Sequence, residues 1–144
     1  MNQNPVALRA SDAVNVCWAG MDAVRTSRVL VVDDDEAIRE AIAELLRDQG
    51  YDVSVAANGE QALEVCRSRA NPDLILLDLR MPVMDGIEFT RRKDQDPTLA
   101  HVPVCVITAF RDFTSIPPSA AVVLHKPLGS TDLLVVARRF CAEK

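Results

Sequence analysis

The sequence lacks the features that mark membrane, secreted or nucleic-acid-binding proteins. No apolar run in its 144 residues is long enough to cross a bilayer, and no basic stretch followed by an apolar block suggests a signal peptide. Apart from two Arg pairs the basic residues are scattered, and the net charge is -5, which disfavours nucleic-acid binding. We therefore expect a cytoplasmic protein with neither membrane insertion nor direct nucleic-acid contact.

Cysteine is also scarce. The four cysteines lie far apart and form no C-x-x-C pair, which argues against a disulfide framework or a cysteine metal site. We expect them to be reduced core residues. With 49% hydrophobic and 26% charged residues, the chain has material for one domain with a real core and little for a second.

Residues 1–26 differ from the rest of the chain. They are mostly small or polar, show no hydrophobic period, and include Pro5, Gly20 and the only tryptophan, Trp18. We predict a poorly ordered N-terminal extension, with a short helix packed on the domain as the alternative. Residues 27–144 form the predicted domain.

Short apolar strands alternate with amphipathic segments through this domain. The run Leu74–Asp78 (LILLD) is continuously apolar up to its last residue, which is typical of a buried central strand. Strands that alternate with helices indicate a parallel sheet covered on both faces, with right-handed crossovers. The predicted strands begin near Arg28, Tyr51, Leu74, Val102 and Ala121.

The first predicted helix follows the acidic run that ends the first strand. We interpret Asp35 and Glu36 as residues that favour the helix N-terminus through capping and the helix dipole. Gly50 is the predicted helix stop. Apolar residues at helical spacing define a predicted inner face of Ala37, Ile38, Ala41, Ile42, Leu45 and Leu46.

Polar side chains follow the ends of four predicted strands. Parallel strands bring their carboxyl ends to one edge of the sheet, and open α/β sheets bind ligands at that edge. The residues expected there are Asp33 and Asp34 after the first strand, Asp78 at the end of the third, Thr108 at the end of the fourth, and Lys126 after the fifth.

This set of groups has a specific chemistry. Clustered carboxylates repel one another and favour a cation among them, and hard oxygen ligands without His or Cys suit Mg²⁺. A carboxylate can also attack a phosphoryl group to form an acyl phosphate, for which Asp78 is the most central candidate. The Lys126 ammonium and the Thr108 hydroxyl would then bind phosphoryl oxygens.

The motifs together resemble the receiver domain of two-component response regulators. The resemblance covers about Arg28 to Cys141 and implies a doubly wound, five-stranded parallel sheet in the flavodoxin-like order 2-1-3-4-5. The segments that carry it are Val29–Glu36 (VLVVDDDE), Leu76–Gly86 (LLDLRMPVMDG), the pair Thr108 and Ala109, and the pair Lys126 and Pro127.

The resemblance also implies a phosphoryl acceptor, a metal and a class of partner. Asp78 would accept a phosphoryl group from a phosphohistidine on a histidine kinase or a histidine phosphotransfer protein. Mg²⁺ would be held by Asp33, Asp34, Asp78 and the backbone carbonyl of Arg80. Such a protein is a phospho-acceptor that assists its own phosphorylation and dephosphorylation, and not an enzyme with a separate substrate.

Two further expectations come from the resemblance. Thr108 and Lys126 would contact the phosphoryl group, and the peptide bond between Lys126 and Pro127 would be cis. Val123 stands where the family usually carries a Tyr or Phe that takes part in switching.

The segment 110–119 (FRDFTSIPPS) departs from the family pattern. It stands in place of the family's fourth helix, and the chain is about one turn of 3.6 residues short there. Pro117 and Pro118 would end any helix at this point. We predict that this helix is short, irregular or absent.

The chain ends just after the last predicted helix, so we expect a stand-alone receiver that switches the binding of an unknown downstream protein or relays phosphate.

Two alternatives stay open: an interaction module that binds Mg²⁺ without phosphorylation, and a small phosphatase that works through an aspartyl phosphate. Phosphatases of the haloacid-dehalogenase type carry the motif D-x-D, whose first Asp is the nucleophile. Here the residue two positions after Asp78 is Arg80 and not a second Asp. No Gly-rich loop follows the first strand, which disfavours nucleotide or flavin binding.

Overall fold

A computed structural model describes residues 26–68, 71–81, 83–109 and 116–141 of the chain. The strands are β1 Arg28–Val32, β2 Asp52–Ala56, β3 Leu74–Asp78, β4 Val104–Thr108 and β5 Val122–His125. The helices are α1 Glu36–Asp48, α2 Gly59–Ser68, α3 Gly86–Gln95 and α4 Ser130–Cys141. None of these helices is long and apolar enough to cross a membrane. The predicted N-terminal extension lies outside the described residues except for Thr26.

All five strands are parallel and lie in the order β2-β1-β3-β4-β5. This confirms the predicted doubly wound sheet and its flavodoxin-like strand order. The central strand β3 pairs with β1 and β4, and every one of its residues is buried. A strand covered on both faces cannot alternate polar and apolar residues, which explains the continuous Leu and Ile run.

Helices cover both faces of the sheet. Alternate residues of β1 point to opposite faces, so Val29 and Val31 pack with α1 and α4, while Leu30 and Val32 pack with α2 and α3. The first face also contains Ile42, Leu46, Leu133, Val136 and Ala137, and the second contains Ala62, Leu63, Cys66 and Phe89. The sheet is therefore packed between two apolar layers, one on each face.

The predicted inner face of α1 is too wide. Ile42 and Leu46 are buried, but Ala37 and Ala41 are exposed, and the buried Ala43 was not predicted. The reason is that α1 packs on the sheet through one narrow stripe, and the loop after β5 does not close over the rest of its apolar side. This leaves apolar surface next to the strand ends.

The connection between β4 and β5 is consistent with the predicted helix that is short, irregular or absent. Residues 116–121 form turns and bends, and residues 110–115 lie outside the described part of the chain. Ile116 and Ala120 pack on the core, and the Ser119 hydroxyl donates to the Asp94 carboxylate at 2.6 Å. Val123, at the position of the family aromatic, is half-buried against the same core cluster.

Cys66, Cys105 and Cys141 are buried and form no disulfide with one another, as predicted. Burial raises the pKa of the Cys66 thiol to about 11 and that of Cys105 to about 12. Because the thiolate is the reactive form, these thiols are inert core groups at neutral pH. Cys17 lies outside the described residues.

Gly86 is required where α3 begins, directly below the end of β3. A Cβ at this position would lie 2.7 Å from the Asp78 carbonyl oxygen and 2.8 Å from Leu79 Cα, which are both backbone atoms. We expect Gly86→Ala to lower the free energy of unfolding by about 1–3 kcal/mol through overpacking. Urea denaturation measures this. In the matched control Gly129→Ala the nearest atom is an Asp132 carboxylate oxygen at 3.5 Å, and a comparable loss there would contradict the explanation.

Candidate functional site

Three carboxylates meet at the carboxyl edge of the sheet. Oxygen atoms of Asp33, Asp34 and Asp78 all lie within 4.8 Å of one another. Asp33 and Asp78 are buried, at 2% and 7% exposure, whereas Asp34 is exposed. The cluster therefore has an inner wall of two acids and an outer acid that faces solvent.

Asp33 is held in place by the backbone on both sides. Its N–H donates to the Ala56 carbonyl of β2 at 3.1 Å, which extends the sheet by one residue past β1. Its carboxylate accepts from the Asp35 N–H at 2.9 Å. Asp35 in turn caps α1 by accepting from the Ile38 N–H at 3.2 Å, the role predicted from the sequence. The turn from strand to helix thus sets the orientation of the first acid.

Asp78 is the last residue of the central strand. Its carboxylate accepts a hydrogen bond of 3.3 Å from the Arg80 N–H, and the Arg80 residue itself is exposed. The carboxylate therefore sits where the strand opens into the loop that leads to α3. In this position a carboxylate oxygen of Asp78 lies within 4.8 Å of oxygens of Asp33 and Asp34.

Lys126 completes the cluster from the loop after β5. Its Nζ lies 3.3 Å from the Asp33 carboxylate and 3.5 Å from that of Asp78. The Lys126 N–H donates to the carbonyl of the buried Thr108 at 2.9 Å, and the bond to Pro127 is cis, as expected. The structure thus brings every residue expected at this edge to the ends of four neighbouring strands.

The buried acids and the lysine change one another's protonation. Burial raises the pKa of Asp78, and the Asp33 charge raises it further, while Lys126 lowers it without cancelling the effect. For Lys126, burial lowers the pKa, but the Asp78 and Asp33 carboxylates outweigh burial and hold it above its usual value. The site therefore contains more buried negative charge than one ammonium can offset.

Arg39 supports the site and was not predicted from the sequence. Its Nη1 donates to the Asp33 carbonyl at 2.9 Å, so the side chain reaches back along α1 to the end of β1. The sequence does place an arginine four residues after the helix cap Asp35, in the first turn of α1, where its side chain can reach the end of β1.

These features define a doubly wound α/β protein with an acidic site at the carboxyl edge of its sheet. Residues 29–138 match the response regulator receiver domain family, and the chain belongs to that family. The DNA-binding response regulator MtrA of Mycobacterium tuberculosis is 41% identical over 115 residues, which are 80% of this chain and 46% of MtrA.

Solved structures agree with the assignment. The chemotaxis response regulator CheY4 of Vibrio cholerae is 31% identical with a TM-score of 0.73, over 81% of this chain and 99% of that chain. The receiver domain of the sensor histidine kinase PA1611 from Pseudomonas aeruginosa, which has a magnesium ion coordinated in its active site cleft, is 28% identical with a TM-score of 0.74. That match covers 81% of this chain and 98% of the other.

The chain spans less than half the length of the curated relatives it matches. The family assignment therefore concerns the receiver domain, and the activities of those longer proteins do not follow from it.

The raised pKa of Asp78 predicts how stability depends on pH. A carboxyl group whose folded pKa lies above its unfolded value contributes stability at low pH that is lost as the pH rises through the folded pKa. At neutral pH, with chelator present, we expect Asp78→Asn to raise the free energy of unfolding, and the gain to shrink as the pH falls through the acidic range. Urea denaturation across pH tests this, with the exposed Glu64→Gln as control. A loss of stability at neutral pH would contradict the excess of buried negative charge.

Val83 is strained in the loop between Asp78 and α3. It has a φ of 69° and is 78% exposed, so a β-branched residue occupies the left-handed region without compensating burial. Because Asn tolerates this region, we expect Val83→Asn to raise the free energy of unfolding by about 1 kcal/mol. Thermal denaturation measures the change. Val135→Asn on the exposed side of α4 is the matched control, and equal effects at the two positions would rule out backbone strain as the cause.

Proposed function

We propose that this receiver accepts a phosphoryl group on Asp78 from the phosphohistidine of a partner protein and thereby switches the binding of a downstream protein or relays phosphate. Receiver domains interact with histidine kinases or phosphotransfer proteins, and a protein of either kind would be the phosphoryl donor. The observation that carries the proposal is the position of the Asp78 carboxylate, 3.5 Å from the Lys126 ammonium at the end of the central strand.

The transfer is a displacement at phosphorus. A carboxylate oxygen of Asp78 forms a bond to the phosphorus atom while the bond from phosphorus to the imidazole nitrogen breaks. The electron pair of that bond stays on the imidazole nitrogen. If the other ring nitrogen carries a proton, the product is neutral imidazole; otherwise the imidazolate becomes neutral by taking a proton from water. The product on this chain is an acyl phosphate, so the attacking carboxylate must be ionised although its surroundings raise its pKa.

Mg²⁺ fits the acidic cluster. The donors are hard carboxylate oxygens from three residues within 4.8 Å, with no His or Cys among them. Asp33, Asp34, Asp78 and the backbone carbonyl of Arg80 would hold the ion. When bound, the cation neutralises charge on the acids and on the phosphoryl oxygens.

Lys126 and Thr108 have supporting roles in this proposal. Lys126 already lies between the two buried acids and would shift its interaction to a phosphoryl oxygen as charge builds up there. The Thr108 hydroxyl, on the neighbouring strand β4, would donate to another phosphoryl oxygen. Both groups stabilise added negative charge at Asp78, and neither forms a covalent bond.

On this proposal the protein is a phospho-acceptor and not an enzyme with a separate substrate. Added negative charge at the edge of β3 and β4 would act on the connection between β4 and β5, which starts directly after Thr108. The stand-alone organisation expected from the sequence stays a prediction, because the curated relatives extend well beyond the matched region.

Intact mass after incubation with acetyl phosphate and Mg²⁺ tests the proposal. We expect a phosphoryl increment in the parent, none in Asp78→Asn, and an unchanged increment in the control Glu64→Gln. Lys126→Met should reduce the extent of phosphorylation, because the ammonium that neutralises phosphoryl charge is lost.

The other outcomes separate the alternatives. Binding of Mg²⁺ by calorimetry with no mass increment would favour the interaction module that works without phosphorylation. Release of many equivalents of phosphate from a small phosphate ester would favour the phosphatase, although Arg80 stands where such an enzyme of the haloacid-dehalogenase type would carry its second acid.

A further inference from the structure

An apolar groove runs between α1 and the loop that joins β5 to α4. Its volume is about 650 Å³, and Lys126 lies at the end next to the acidic cluster. The walls are mostly aliphatic: Ile38, Ala41, Ile42 and Leu45 from α1, and Pro127, Leu128 and Leu133 from the opposite side.

The groove explains the exposed alanine on α1. Ala41 is exposed and lines this groove, and Ile38 and Leu45 in the same wall are only half-buried. A continuous apolar surface of this kind marks a place where another apolar group binds. Its occupant must be largely uncharged, because the lining offers few polar groups besides Lys126 and Ser130.

The chain enters the described domain next to this face. The Ser27 hydroxyl donates to the carbonyl of Cys141, the last residue of α4, at 3.1 Å. Both α1 and α4 pack on the same face of the sheet and run antiparallel to the strands, so both end at the edge where Ser27 lies. The chain before Thr26 therefore approaches the domain near the C-terminal ends of α1 and α4.

These preceding residues contain a segment of matching chemistry. Between Asp12 and Asp22 the nine residues Ala13–Met21 (AVNVCWAGM) carry no charge, and Asn15 is their only polar side chain. Nine residues span about 13 Å as a helix, which is shorter than the roughly 20 Å length of α1. The five residues from Asp22 to Thr26 reach at most about 17 Å when extended, so the segment can lie along the groove.

We propose that the segment Ala13–Met21 docks in the groove between α1 and the loop from β5 to α4. Burying Trp18 and its apolar neighbours removes apolar surface of both partners from water, and a short tether gives an effective concentration of about millimolar. A free partner would have to compete with this tethered occupant. Because Lys126 and Pro127 also line the groove, one end of this docking site lies next to the acidic cluster.

Fluorescence of Trp18 tests the docking in the full chain, because Trp18 is the only tryptophan. In the native parent we expect emission at shorter wavelength than in denaturant and a severalfold weaker quenching by acrylamide. Ala41→Arg places a long charged side chain in the groove, so it should return both properties to those of an exposed tryptophan. Ala37→Arg makes the same change at an exposed position of α1 outside the groove and should leave them as in the parent.

Three results would overturn the proposal. Quenching of Trp18 in the native parent as strong as in denaturant means that the segment does not dock. Protection that survives both Ala41→Arg and Leu45→Glu, with circular dichroism showing folded variants, places the tryptophan elsewhere. Protection that disappears on dilution assigns the groove to the segment of a second copy. The readout does not depend on phosphorylation, so it stands or falls separately from the function proposed for Asp78.

Discussion

The burial of two like-charged carboxylates at one edge of the sheet is the constraint on which this structure depends. β1 and β3 are parallel and pair with Val32 opposite Leu77, and this register places Asp33 and Asp78 together at one edge. Burial raises the pKa of Asp78 and the nearby Asp33 charge raises it further, so ionising Asp78 at this edge costs the fold stability. Lys126 offsets part of it, from a loop that the hydrogen bond to the Thr108 carbonyl holds in place. The charge that remains is what makes the edge suited to a hard cation.

The site is held mainly by the backbone around it. Asp33 uses its N–H, its carbonyl and its carboxylate, with partners in β2, in α1 and in the turn before α1. Arg39 contributes the bond to the carbonyl, and its guanidinium also lies 3.9 Å from Glu40. An acid fixed in this way loses little conformational freedom when a ligand binds, so the geometry is prepared in advance.

Much of the fold and most of the site could be predicted because both depend on where apolar runs stop. The Leu74–Asp78 run shows a buried strand and its end, and the parallel arrangement then brings the polar residues together. The helical period of apolar residues correctly indicated which side of α1 faces the sheet. It did not show how many of those residues are buried, because only the packed structure shows how far the neighbouring loop covers Ala41. The Arg39 contact depends on a side chain that folds back along its helix, and the φ of Val83 depends on loop closure. The sequence shows that Arg39 stands four residues after the helix cap Asp35, but this spacing alone predicts neither the contact with the Asp33 carbonyl nor the φ of Val83.

The groove and the acidic cluster are connected through the first turns of α1. Ile38 forms part of the groove wall while its N–H bonds to Asp35, and the next residue, Arg39, binds the Asp33 carbonyl. An occupant that moved this turn would move the support of Asp33, and a cation that restrained Asp33 would restrain the groove wall. Linkage makes any such effect reciprocal: if a group in the groove changes cation affinity by some factor, the cation changes the affinity of the groove by the same factor. Coupling of this kind requires no change in the sheet, because the two sites share a single helix terminus.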